Sequence, residues 1–261
     1  MKIDELVKVM KKLRSPEGCP WDRAQTHKSL MPFIMDECAE LLDAIEAEDD
    51  ANFREELGDV LMHIVLHSVM AEERGAFTFD DVVEGITAKM ISRHPHVFGS
   101  EAVSSASEVV DLWEKVKAKE KNHAPDPNAS VLKGVPTHCP ALLQAEKIQK
   151  KAAKTGFDWT EQNQILDKIG EEYQELREAM KSGDDEHIDE ELGDLLFAAA
   201  NLSRFRKRES AEILLARATA KFKKRFQAME EILAAEGKSI EKCSLEEMDI
   251  LWNRVKAGEK A

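Results

Sequence analysis

The sequence predicts an all-α protein made of two related helical units in tandem, and three observations carry that expectation. Apolar residues recur at helical spacing along much of the chain. Strand signals are scarce, with one tyrosine and no alternating runs of β-branched residues. The motifs of the first half also return in the second half in the same order. Glu37-x-x-Glu40 and Glu56-Leu57-Gly58-Asp59 reappear as Glu172-x-x-Glu175 and Glu191-Leu192-Gly193-Asp194, both at an offset of 135 residues. Gly18-Cys19-Pro20-Trp21-Asp22 answers Gly156-Phe157-Asp158-Trp159-Thr160, Thr87-Ala88-Lys89 with Arg93 answers Thr219-Ala220-Lys221 with Arg225, and Leu112-Trp113 answers Leu251-Trp252.

Taken in order, Leu6, Val7, Met10 and Leu13 form one helical stripe, and Leu41, Leu42 and Ile45 form another. Gly75 stands where a helix can end. Arg93-His94-Pro95-His96-Val97-Phe98 reads as a capped helix end with packed rings. Ser105-x-x-Glu108 is a capping box for the helix that carries Trp113. Residues 121–137 are polar and proline-bearing and read as a linker between an N-terminal unit, 1–120, and a C-terminal unit, 138–261. Trp21 and Trp159 sit in turn-like contexts and read as packing residues. Lys181-Ser182-Gly183-Asp184-Asp185 makes a turn that lets the helices on either side pack antiparallel. Gly193 beside Asp194 leaves room for a close approach by a helix or ligand.

At 261 residues the chain is long enough for two ordinary domains with real cores. Charged residues make up 34% and the net charge is −14, which argues against a nucleic-acid backbone as partner. A single nucleotide stays open, since a metal and a few local cations can meet its phosphates. The four cysteines show no zinc or redox spacing and read as reduced thiols of a cytoplasmic protein. No apolar stretch reaches the length of a membrane helix, and the charged N-terminus has no signal-peptide core.

Residues i and i+3 of a helix share a face, so Glu172, Glu175, Glu191 and Asp194 on two packed helices would gather four carboxylates. Glu37, Glu40, Glu56 and Asp59 would do the same in the first half. Two like charges about 5 Å apart cost roughly 3 kcal/mol at an effective dielectric near 20. A hard divalent cation removes that cost, and Mg²⁺ suits carboxylates with retained waters. For one copy alone, a solvated acidic face would suffice; two copies with one spacing favour metal. Lys221 and Arg225, like Lys89 and Arg93, lie at i and i+4 and suit phosphate oxygens. Trp252 and Trp113 could stack on a nucleobase or close a core.

E-x-x-E followed by E-L-G-D, with G-C-P-W-D, R-H-P-H-V-F and G-F-D-W, resembles the MazG nucleoside triphosphate pyrophosphohydrolases of the long, two-domain bacterial type. The resemblance covers essentially the whole chain. It implies an all-α homodimer with a four-helix-bundle type core and Mg²⁺-dependent hydrolysis of (d)NTPs to (d)NMP and diphosphate, serving nucleotide-pool cleaning or regulation. Residue by residue, it implies that Glu172, Glu175, Glu191 and Asp194 hold magnesium, that Lys168, Lys221 and Arg225 contact nucleotide, and that Trp252 meets the base. Glu37, Glu40, Glu56, Asp59, Lys89, Arg93 and Trp113 correspond in the first half. The copies diverge where Lys168, Glu171 and Asn201 fall on Phe33, Asp36 and Leu66, so the C-terminal site is expected to dominate. Glu171 and Glu190, each beside a ligand, are the candidates for taking a proton from water; the phosphorus attacked stays open. A di-iron oxidation site would need E-x-x-H, and here the motif is E-x-x-D. A non-catalytic dimer that senses nucleotide or metal and regulates a partner is the alternative.

Overall fold

The structure, a computed structural model, describes residues 2–120 and 130–259, and every regular element in them is helical. The chain divides into two compact units, Met1–Ala124 and Pro125–Ala261. The first holds α1 (Lys2–Arg14), α2 (Pro20–Ala24), α3 (Met31–Ala47), α4 (Asp50–Glu73), α5 (Phe79–Arg93), α6 (Pro95–Phe98) and α7 (Ala106–Glu120). The second holds α8 (Ala141–Ala153), α9 (Gln162–Ser182), α10 (Asp185–Arg206), α11 (Ala211–Ala235), a 3₁₀ turn (Ile240–Lys242) and α12 (Leu245–Gly258).

Each unit is organised around a helical hairpin, α3–α4 in one and α9–α10 in the other. The two connections follow one plan. A residue in the left-handed region ends the first helix, Glu48 at φ 55° in one copy and Gly183 at φ 71° in the other. An aspartate then caps the second helix, satisfying amides that have no partner within it. Asp49 accepts from the amides of Ala51 and Asn52 at 3.0 and 3.2 Å, and Asp184 from those of Glu186 and His187 at 3.2 and 3.4 Å. Because the cap fixes where the helix starts, it also fixes which face Glu56 and Glu191 occupy.

In the first unit the stripe Leu6, Val7, Met10 and Leu13 packs where expected, against Leu30, Val65, Leu66, Val69 and Met70. The second expected stripe behaves differently. Leu42 and Ile45 are half exposed, and Ala44 is the buried residue of α3. The hairpin turns the face carrying Glu37 and Ala44 inward, which leaves the larger apolar side chains outside. Gly75 follows the end of α4 with φ 69°. The cap of α7 is shifted by one residue: Ser105 Oγ accepts from the Glu108 amide at 3.3 Å, while the Glu108 carboxylate accepts from the amide and hydroxyl of Ser104, each at 2.8 Å. His94, between α5 and α6, has its Nδ1 2.6 Å from the carbonyl of Met90, and its ring lies 5.6 Å from that of His96.

In the second unit α8 packs on α10 and α11, and α11 on α12. Of the expected linker, residues 121–129 lie outside the described residues. The remainder is tied to α8: Lys151 Nζ donates to the Lys133 carbonyl at 2.6 Å. A Cβ built on Gly193 or Gly58 would meet open space, so neither glycine is there for a close approach within the described residues. Among those residues, no helix is long and apolar enough to cross a membrane.

Candidate metal and nucleotide site

In the second unit, carboxylate oxygens of Glu172 and Glu175 from α9 and Glu191 from α10 lie within 4.8 Å of one another. Glu172 is buried, Glu191 partly so, and Glu175 is exposed. Asp194, one turn beyond Glu191, stands outside that group but lines the adjoining cavity together with Glu172. The Glu175 carboxyl is pushed above its usual range, chiefly by lost hydration, with Lys168 opposing and Glu172, Glu171 and Glu191 adding. Lys168 Nζ lies 3.0 Å from Glu171 Oε1 and 2.9 Å from Glu172 Oε1. Those contacts raise the lysine well above its ordinary value. Of the two candidate bases, Glu171 is thus engaged by Lys168, and Glu190 is exposed beside Glu191. His187, four residues before Glu191 and outside the repeated motif, sits with Nε2 3.3 Å from Glu191 Oε1.

The cluster borders a cavity of about 690 Å³. Lys168, Glu172 and Asp194 lie on its wall, and Phe197, Ala198, Asn201 and Arg204 continue along the same face of α10. Trp159 lines it too, rather than serving only as packing, and so do Val131 and Leu132 from the segment expected to be linker. A signal for this wall was present in the sequence: Ala198, Asn201 and Arg204 correspond at the 135 offset to His63, Leu66 and Val69.

Lys221, Arg225 and Trp252 are not among the residues lining this cavity. The Arg225 guanidinium lies 5.5 Å from the centre of the Trp252 ring, Phe222 packs at 5.2 Å from that ring, and Arg225 Nη2 is 2.6 Å from Glu259 Oε2. That pair raises Arg225 and lowers Glu259. Lys221 is exposed on the same helix. The first unit repeats the pairing, with Arg93 5.7 Å from the Trp113 ring centre and Lys89 exposed.

The first unit also gathers three carboxylates within 4.8 Å, but a different three: Glu37, Glu56 and Asp59, with Glu40 outside the group. Glu56 is buried and its Oε2 has no hydrogen-bond partner. Burial, then Glu40, Asp59 and Glu37, push its carboxyl above the usual range. His63 Nε2 stands 3.9 Å from Glu37 Oε1, and His27 and His67 face each other through Nδ1 atoms 2.8 Å apart. Where the second unit has its cavity wall, the first has Leu30, His63, Leu66 and Val69, all buried. Leu30, Leu66 and Val69 there belong to one core cluster with Met10, Val65 and Met70.

The MazG nucleotide pyrophosphohydrolase domain matches the chain twice, over residues 25–98 and 160–229. A nucleoside triphosphate pyrophosphohydrolase/pyrophosphatase of Thermotoga maritima is 44% identical over 258 residues, covering 99% of this chain and 97% of the relative. A nucleoside triphosphate pyrophosphohydrolase of Escherichia coli is 42% identical over 260 residues, 98% of each chain. A solved MazG-related protein of Thermotoga maritima, 25% identical, covers 44% of this chain and 98% of its own with a TM-score of 0.38. With two copies of the domain, matched acidic hairpins and near full-length relatives, the chain belongs to the MazG nucleotide pyrophosphohydrolase family.

Proposed function

We propose that the protein is a Mg²⁺-dependent nucleoside triphosphate pyrophosphohydrolase that converts (d)NTP and water to (d)NMP and diphosphate, with the second unit as the dominant site. The observation that carries this is the pairing of an acidic cluster with an adjoining cavity of about 690 Å³ in one unit, against the same kind of cluster beside the core residues Leu30, Leu66 and Val69 in the other. An all-oxygen donor set and the orphaned Glu56 Oε2 fit a hard divalent cation. Glu172, Glu175 and Glu191, with Asp194 beside them, would hold it in the second unit, and Glu37, Glu56 and Asp59, with Glu40, in the first. Held by these carboxylates, a divalent cation would supply positive charge against the phosphate oxygens and the leaving diphosphate.

The chain's own groups do the rest. Lys168 brings a permanent positive charge to the cavity wall beside Glu172. Glu171 and Glu190, each next to a ligand in sequence, are the candidates for accepting a proton from water, and Lys168 already engages Glu171. Arg225 and Lys221 supply further positive potential, Arg225 once Glu259 yields it, with Trp252 as a platform beneath. Lys89, Arg93 and Trp113 repeat that arrangement in the first unit. This reading includes a cytoplasmic homodimer that acts on nucleotide pools. For the first unit alone, the core residues Leu30, Leu66 and Val69 at the positions of the cavity wall favour the alternative, a cation-binding element without turnover.

The test is to incubate the protein with each (d)NTP and Mg²⁺ and to separate the products. Monophosphate with intact diphosphate is expected, and chelation should stop it. Glu172→Gln should lower turnover by at least about 10²-fold, the scale of losing a transition-state charge contact, while Glu37→Gln leaves most of it. Diphosphate nucleotide plus phosphate would sink the assignment, and the reverse ranking of the two variants would move the dominant site to the first unit.

A further inference from the structure

Asn201 has a fixed orientation set by two residues behind it. Arg204, one turn further along α10, donates through Nε and Nη2 to Asn201 Oδ1 at 2.9 and 2.7 Å. Arg204 is held in turn by Asp158, from the loop before α9. Its Nη1 donates to Asp158 Oδ2 at 3.1 Å and its Nη2 to Asp158 Oδ1. With Oδ1 taken twice by a guanidinium, the Asn201 amide cannot turn over without setting its own NH₂ against those donors. No acceptor among the described residues takes the Nδ2 protons. Asn201 therefore offers the cavity a donor and no acceptor.

Its place along the helix says which part of a nucleotide it would meet. Asn201 follows Asp194 by seven residues, two turns or about 10 Å along the same face, and the cavity runs past both. Phosphates gathered at the carboxylate end leave the nucleoside at the Asn201 end, beside Trp159 and Phe197. The other unit gives an internal comparison. It keeps the carboxylates but has Pro20, Leu66 and Val69 where Asp158, Asn201 and Arg204 stand. The three polar residues are missing together from the copy that keeps its carboxylates, which sets them apart from the cation ligands.

We propose that Asn201, oriented by Arg204 and Asp158, donates a hydrogen bond to an exocyclic carbonyl oxygen of the base. The second unit thereby favours oxo-bearing bases such as hypoxanthine, guanine and uracil over adenine. An amino group in the same place sets donor against donor. Asn201 is thus a specificity-determining residue, and Arg204 and Asp158 are positioning residues. The inference rests on the nucleotide reading of this site.

The experiment measures binding, so that it stands apart from turnover. The α,β-imido triphosphates of inosine, purine riboside and adenosine, whose nitrogen bridge resists the expected cleavage, are titrated calorimetrically into the full chain with Mg²⁺. The inosine compound is expected to bind about tenfold more tightly than the purine riboside compound, which lacks the carbonyl oxygen and the N1–H that accompanies it, as one well-made hydrogen bond allows. Asn201→Leu and Arg204→Leu should each bring that ratio close to one. Asn201→Asp, which turns the donor into an acceptor, should reverse the inosine over adenosine preference, an outcome that a merely structural role would not give. It carries the test if Asn201→Leu fails to fold. A ratio that survives in Asn201→Leu with native helix content overturns the proposal. So does a wild-type ratio close to one, since a contact to the ribose hydroxyls, which both compounds carry, would leave them bound alike. If the wild type shows the ratio but leaves ordinary ITP uncleaved, the proposed activity fails and the base assignment stands.

Discussion

Lys168 stands 2.9 Å from Glu172, and at the corresponding position of the other unit Phe33 is exposed. The difference changes how each acidic cluster tolerates its own charge. In the second unit a side chain supplies a cation; in the first, burial and neighbouring carboxylates push Glu56 toward the protonated form. A different charge pair sets an acid limit on the second unit. The Arg204 guanidinium, bonded to Asp158, holds that carboxyl below its usual range. A depressed carboxyl contributes stability that is present above its unfolded value, near pH 4, and is lost as pH falls through the folded value. Asp158→Asn should therefore flatten the acid limb of urea-unfolding stability plotted against pH, while leaving the slope above about pH 5 as in the wild type.

Among elements, the hairpins show how much could be read in advance. Two acidic pairs at one spacing and a glycine–aspartate turn were enough to place Glu172 and Glu191 on packed helices, because capping and helical period are local properties. The walls of the cavity were not legible in the same way. Val131 and Leu132 reach it on a turn that Lys151 ties to α8, and Glu259 meets Arg225 across 34 residues of chain. Such docking leaves no periodic trace. The apolar stripe of α3 misled for the same reason, since periodicity names an apolar face but not the neighbour that covers it. The two connections also differ in strain. Glu48 occupies the left-handed region that Gly183 occupies freely, at a cost of about 1 kcal/mol for a residue with a Cβ. Glu48→Gly should recover much of that, raising the urea midpoint without changing the denaturant slope.

At the scale of the whole molecule, apolar surface is left unpaid for by either unit. Leu42 and Ile45 on α3 and Leu192 and Leu196 on α10 are each close to half exposed, beside the acidic hairpins. Apolar surface of this extent is removed from water when a second copy covers it, against the repulsion of two chains that each carry a net charge of −14. Sedimentation equilibrium is expected to give about twice the 29.4 kDa of one chain, and Leu196→Glu to shift the mass toward the monomer. The denser burial along α4 has a further consequence for local opening. Helix α4 buries Val65, Leu66, Ser68, Val69, Met70 and Ala71 in nearly unbroken succession, whereas α10, flanking a cavity, buries only Ala198, Ala200 and Ser203. Amide protons of α4 should then exchange with solvent only in rare, large openings. Those of α10 should exchange through smaller and more frequent ones. Hydrogen-exchange mass spectrometry should find α4 the slowest segment of the chain, and nucleotide should slow α10 while leaving α4 as it was.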